Sequence, residues 1–186
     1  MRKNFGAKPQ MYPMPVLIIA TYNADGTPNA MNAAWGCMAD ADKICIFVAA
    51  AHKTMENILA RKGFTVSMAT KEQLIPADYV GIVSGNDDPE KWVKTGWNAE
   101  KSTFVDAPLI RELPMALECE MLSYDEESEM LMGRILNVSA EENILDENGK
   151  IDVRKLDPIS YDPVHHAYLT LGEKAGNAFS DGKKLK

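Results

Sequence analysis

The sequence has no run of about 20 apolar residues that could span a bilayer. Its opening, MRKNFGAKPQMYPMPV, has no apolar core of signal-peptide length. No membrane partner is expected, and the cytoplasm is the expected compartment. Cysteine is scarce and poorly spaced: Cys37, Cys45 and Cys119 are odd in number and include no CxxC pair. That argues against a disulfide framework and fits a reducing compartment, so the thiols read as buried and inert. Positive charge is in deficit, with 20 Lys and Arg against 27 Asp and Glu, for a net charge of −7. Nucleic acid and anionic membranes both need a basic face, so neither is expected as the main partner.

Nucleotide and hydrolase signatures are missing too. There is no GxGxxG, Walker loop, GxSxG or HExxH. His165 and His166 are adjacent, so on a strand they face opposite ways, and His52 is far off in sequence; no metal site is expected. The acidic run DEESE, Asp125–Glu129, reads as a solvated turn. No nucleophile stands beside an evident base, so no catalytic residue is assigned.

What is present describes one globular domain over residues 1–186. Hydrophobic residues make up 46% and charged residues 25%, ordinary values for a chain able to bury a core. PVLIIATY (Pro15–Tyr22) is β-rich and closes in NADG, a hairpin signal, after which Thr27–Trp35 returns. KICIFVAA (Lys43–Ala50) is apolar on both faces. HKTMENILARKG reads as a helix with Thr54 as N-cap, a stripe of Met55, Ile58 and Leu59, and Gly63 as its stop. FTVSMAT (Phe64–Thr70) is another strand. Lys71–Trp97 turns helical and loopy, with a helix start near Asp87. MALECEMLSY alternates, Met115, Leu117, Cys119 and Met121 facing one way and Ala116, Glu118 and Glu120 the other, as in a half-buried strand. Glu129–Ala140 pairs with it, and HAYLTL adds a last apolar stretch. The class is mainly β: an antiparallel barrel with two or three helices.

Two features carry chemistry. The returning strand, Asn29-Ala30-Met31-Asn32-Ala33-Ala34-Trp35, is almost bare of core side chains. Small residues let a flat ligand approach the backbone, and asparagines offer donors and acceptors to its polar edge; a tight edge or subunit contact is the competing explanation. The second feature is Ala49-Ala50-Ala51-His52-Lys53-Thr54, where a strand runs into a helix N-terminus bearing an ammonium and a hydroxyl. Unpaired amides and the positive end of the helix dipole converge there on an anion. Together the two describe a berth for a long ligand with a planar head and a phosphate tail.

The order of these features resembles the flavin reductase-like family of FMN-binding split barrels, and within it the flavoredoxin type. The likeness runs through PMPVLIIATYNADGTPNAMNAAW, KICIFVAAAHKTMENI, VSGNDDPEKW, APLIRELPMALECE and YLTLGEKAGNAFSDGK. It implies a homodimer of antiparallel Greek-key split barrels, each holding one FMN at the interface. By that likeness Asn29 to Trp35 line the ring and ribityl chain, and Val48, Ala49, Ala50, Lys53 and Thr54 cradle the phosphate end. Ser84, Gly85 and Asn86 approach the ring, Trp92 takes the place of an aromatic, and Tyr168 and Lys183 reach the site or a partner subunit. The sequence departs from the family at Asn32-Ala33-Ala34, where members commonly carry Ser or Thr near the ring. Two functions stay open: an oxidoreductase drawing on NADH or NADPH, or an electron carrier between protein partners. A barrel that holds haem, another planar ligand or none is the third reading.

Overall fold

The computed structural model describes residues 1–186 in full. Seven strands form one antiparallel sheet, curled into a half-barrel. In chain order they are β2 (Leu17–Tyr22), β3 (Pro28–Ala33), β4 (Gly36–Asp40), β5 (Lys43–Phe47), β6 (Gly63–Met68), β9 (Met115–Asp125) and β10 (Met130–Ala140). Their spatial order is β3-β2-β6-β9-β10-β5-β4, so β3 and β4 are its two edges. A small sheet joins β1 (Met14–Pro15), β11 (Ile159–Asp162) and β12 (Ala167–Thr170), and β7 (Ala99–Lys101) pairs with β8 (Pro108–Ile110). The helices are α1 (Lys53–Arg61), α2 (Leu74–Ile82), α3 (Lys91–Thr95) and α4 (Val153–Leu156).

The continuous apolar run of β2 has a direct cause: it lies between two cores. Leu17 and Ile19 face a cluster with Ile44, Ile46, Phe64, Val66, Leu117 and Leu131, which α1 closes with Met55 and Ile58. Ile18 and Ala20 face the opposite cluster, built from Ala77 and Val80 of α2 with Trp97, Ile110 and Ile159. A strand covered on both sides cannot alternate apolar with polar. The β2–β3 hairpin forms where NADG promised. Gly26 takes φ +85°, Asn23 accepts from its amide at 3.0 Å, and Asp25 accepts from the Thr27 amide at 2.9 Å.

Several expectations need correction. Helix α1 starts one residue before Thr54, with His52 at the N-cap position, and it ends on Lys62 in the left-handed region at φ 63°, ahead of Gly63. Its inner face is Thr54, Met55, Asn57 and Ile58, while Leu59 points to solvent. The fourth strand, β4, was not legible, because GCMAD lacks β-formers and lies on an exposed edge. The third helix begins at Lys91, later than Asp87. Cys37 on β4 is exposed, unlike Cys45 and Cys119.

Strand β9 keeps the expected alternation, with Leu117 and Cys119 in the core and Met115 and Met121 packed against it, but from Ala116 to Cys119 its other face is buried as well. Segment 99–110 covers its outer side, and Glu118 is only 2% exposed. Ser102 donates its hydroxyl to the Glu118 carboxylate, and Asn137 donates to it at 2.7 Å. The buried charge is therefore fully met by hydrogen bonds, as burial requires.

Gly133 on β10 sits against the ring of Phe64, where an added Cβ would lie 2.5 Å from Cζ. Gly133→Ala is expected to cost about 1–3 kcal/mol in urea unfolding, and Phe64→Leu in the same chain should recover part of that loss. Equal stability of the single variant and the parent would show that the barrel has slack here.

Candidate functional site

The bare strand is bare because a helix lies on it. Asn32 donates from Nδ2 to the carbonyl of Ala77 in α2 at 2.9 Å. A Cβ on Gly81, one turn along α2, would fall 2.3 Å from that same amide. Beyond the helix, a Cβ on Gly85 would fall 2.5 Å from Asn29 Oδ1. Asn29 in turn donates to Thr54 Oγ1 at 2.9 Å. Two glycines four residues apart thus rest on two asparagines three residues apart, which seats α2 and its following loop flush on β3. Asn29 and Asn32 each commit one of their two amide N–H donors inside the protein.

Between this loop and the start of α1 lies a cleft of about 220 Å³. It is lined by Asn29 and Met31 of β3, His52, Lys53 and Thr54 of α1, Val80 to Gly85, and Lys91. The N-cap residue His52 places no side chain on the first-turn amides. The His52 carbonyl accepts from the Met55 and Glu56 amides at 2.9 and 3.2 Å, which leaves the amides of Lys53 and Thr54 without backbone partners at the positive end of the helix dipole. Lys53 has its ammonium on Glu56 at 2.8 Å. Lys91 differs: it is only 5% exposed, and burial alone holds its pKa down to about 8. No carboxylate offsets that burial. A buried ammonium and the two free amides of Lys53 and Thr54 at a helix N-terminus make a site suited to an anion.

The structure brings together Asn29, Met31, Lys53, Thr54, Ser84 and Gly85 of the residues expected from sequence. Thr54 is buried as the acceptor of Asn29 rather than serving as a cap. Asn86 stands at the rim, donating to the carbonyl of Ala51 at 3.1 Å. The side chains of Ala30 and Val48 lie in the core. Val48 also commits its backbone, its amide to Glu129 and its carbonyl to the Tyr124 hydroxyl at 2.8 Å. Ala33, Ala34 and Ala49 are half-buried, Ala50 is exposed, and Trp35 stands out at 57% exposure where β3 ends. Trp92 packs edge-on against Trp97. Tyr168 donates to Asp78 at 2.7 Å, and Lys183 lies in an exposed tail. Sequence reading missed Lys91 and His52 as lining groups. The one available signal for Lys91 was its place in VSGNDDPEKW, four residues past a turn.

The residues present fit FMN in one respect: they offer a dianionic phosphate the buried Lys91 cation and the free amides of Lys53 and Thr54. Comparison with known proteins points the same way. The model of the flavin reductase like domain matches residues 10–162. The flavoredoxin of Desulfovibrio vulgaris (Miyazaki F) is 34% identical, with a TM-score of 0.93 over 98% of this chain and 100% of that one. A flavoredoxin from Methanosarcina acetivorans is 27% identical, with a TM-score of 0.87 over 100% and 98% of the two chains. An FMN-binding domain of a flavin reductases-like enzyme from Shewanella baltica OS155 shares the fold at 20% identity, with a TM-score of 0.79 over 88% of each chain. The chain is a split-barrel member of the flavin reductase-like family, of the flavoredoxin kind.

Proposed function

We propose that the chain binds FMN and passes electrons through it, with the phosphate in the cleft between α1 and Lys91 and the ring along β3 toward Trp35. The observation that carries this reading is the buried, unpaired ammonium of Lys91 facing an uncapped helix N-terminus. FMN supplies the electron chemistry, so no acid or base residue is needed for the transfer itself. The side chains of this chain do the rest. Lys91 and the first-turn amides of α1 hold the anion. Asn29, through Thr54, fixes β3 to α1, and Asn32 fixes it to α2. Met31 gives the cleft an apolar wall that excludes water. A second copy of the chain is part of the proposal, because about 220 Å³ is less than the roughly 300–1,000 Å³ of sites that enclose an organic cofactor. The exposed Trp35 would then be covered by the partner.

The electron source divides an oxidoreductase from a carrier. The names of the two flavoredoxins favour a carrier, and the family model favours a reductase. Protein that oxidises NADH or NADPH over many turnovers with free flavin present is a reductase. Protein that accepts electrons only from a reduced iron–sulfur protein is a carrier. A Soret band in place of flavin absorption would end both readings.

Titration of apo-protein with FMN and with riboflavin tests the anion site. Lys91→Met should weaken FMN by about 10–100-fold and leave riboflavin unchanged; equal loss for both ligands would remove Lys91 from the phosphate. The pH dependence has a definite sign. FMN as the phosphate dianion, present above about pH 6, binds the ammonium form, so affinity holds up to the free-protein Lys91 pKa of about 8 and falls as pH rises through it. Lys91→Met should flatten that profile, and a parent profile already flat from pH 7 to 9.5 would contradict the assignment.

A further inference from the structure

The β4–β5 edge of the sheet places two cysteines side by side. Cys37 and Cys45 are direct partners in the antiparallel register, flanked by the regular pairs Gly36–Ile46 and Met38–Ile44. Ile44 and Ile46 point into the core, and a Cβ on Gly36 would point there too, 2.8 Å from Leu17 Cδ1. Alternation along each strand therefore turns both cysteines to the outer face. Two residues before the pair, the Phe47 amide donates to the carbonyl of Trp35 at 2.9 Å, so Cys37 and Cys45 form the next hydrogen-bonded pair of the ladder. Such pairs hold their Cα atoms about 5.5 Å apart, inside the roughly 4.4–6.8 Å that a disulfide spans. Their Cβ atoms stand about 4.5–5.5 Å apart against about 3.5–4.5 Å in a disulfide, so bond formation asks for an approach of about 1 Å. Strand β4 is free to make it: it is an edge, paired on one side only, and exposed from Cys37 to Asp40.

The two thiols are unequal. Cys37 is exposed, whereas Cys45 is 8% exposed. On the far side of Cys45 its register partner is half-buried Met132 of β10, so the thiol that Cys45 can meet is Cys37. Burial pushes the Cys45 thiol up, and charge on Cys37 pushes it further. The outer thiol thus reacts first, and its conversion to a neutral mixed disulfide removes one of the two influences that keep Cys45 protonated. An accessible attacking thiol beside a sheltered resolving one is the arrangement that disulfide exchange needs. Cys119 is the inert thiol of the chain, fully buried in the core with its pKa pushed by burial up to about 12.

We propose that Cys37 and Cys45 are a redox-active dithiol that reduces small-molecule disulfides of the glutathione kind. The Cys37 thiolate attacks one sulfur of the disulfide, forms a mixed disulfide and releases the first thiolate. The Cys45 thiolate then attacks the Cys37 sulfur, closes the Cys37–Cys45 bond and releases the second. Two protein thiols are oxidised, one external disulfide is reduced to two thiols, and the two cysteine protons pass to the products. The reaction needs no flavin, so it stands apart from the proposed function. In the test, the full chain as purified is reduced, freed of reductant, treated with excess oxidised glutathione, blocked with N-ethylmaleimide and measured intact by mass spectrometry. The parent should lose two hydrogens, keep no glutathione, and on unfolding offer Cys119 alone to maleimide. Lys43 lies between the two cysteines, so trypsin separates their peptides unless the new bond joins them. Cys45→Ser should stop at a Cys37–glutathione adduct, and Cys37→Ser should leave Cys45 unreacted. A glutathione adduct persisting on the parent, a bond between two chains, an unreacted parent, or Cys45 reacting as readily without Cys37 would each overturn the proposal.

Discussion

The site depends on one close approach. Gly81 and Gly85 bring α2 and its loop so near β3 that even a methyl group at either position would collide with Asn32 or Asn29. Without that proximity the loop would stand off the sheet, and the cleft floor, the rim at Ser84 and the entry of α3 would separate. Each asparagine reinforces the approach with a hydrogen bond, one to Ala77 of α2 and one to Thr54 of α1. Such partly buried bonds contribute about 1 kcal/mol each, and leaving their groups unpaired costs more. Backbone proximity and side-chain satisfaction therefore specify the same arrangement.

Electrostatics then gives that geometry a preference. The molecule is acidic overall, which keeps anions away at long range, yet the cleft concentrates unpaired positive potential at short range. Lys53 is neutralised locally by Glu56, whereas Lys91 is dehydrated without compensation. In the proposed site an anionic group would relieve the desolvation of Lys91, so preference for an anion would come from a charge the protein itself leaves unpaired.

The fold was legible where a physical requirement reached single residues. Continuous apolar runs identified β2 and β5, the Asp-Gly turn identified the hairpin, and small residues marked β3 as a strand with something lying against it. The occupant of that closeness was not legible, since Asn and Ala permit a ligand or a helix equally well. Lys91 was invisible for a related reason: among Asp87, Asp88 and Glu90 it reads as one more solvated charge, and only the course of the loop buries it. Glu118 misled because the segment that covers it consists of short strands and turns with little pattern of their own. Edge strand β4 gave no signal because nothing on its outer side selects β-formers.

At the far end of α1, Arg61 grips two separate segments through three contacts. Its guanidinium donates to the carbonyl of Asn23 at 2.6 Å, pairs with Asp106 at 2.8 Å and lies over the ring of Tyr22. The helix is held at its tail by the hairpin and the 102–107 loop, so its leading amides cannot swing. The rigidity of a turn about 12 Å from the cleft, at about 1.5 Å of rise per residue from Lys53 to Arg61, therefore sets the aim of the groups within it. A guest would meet a finished socket, and little ordering entropy would be charged against its arrival.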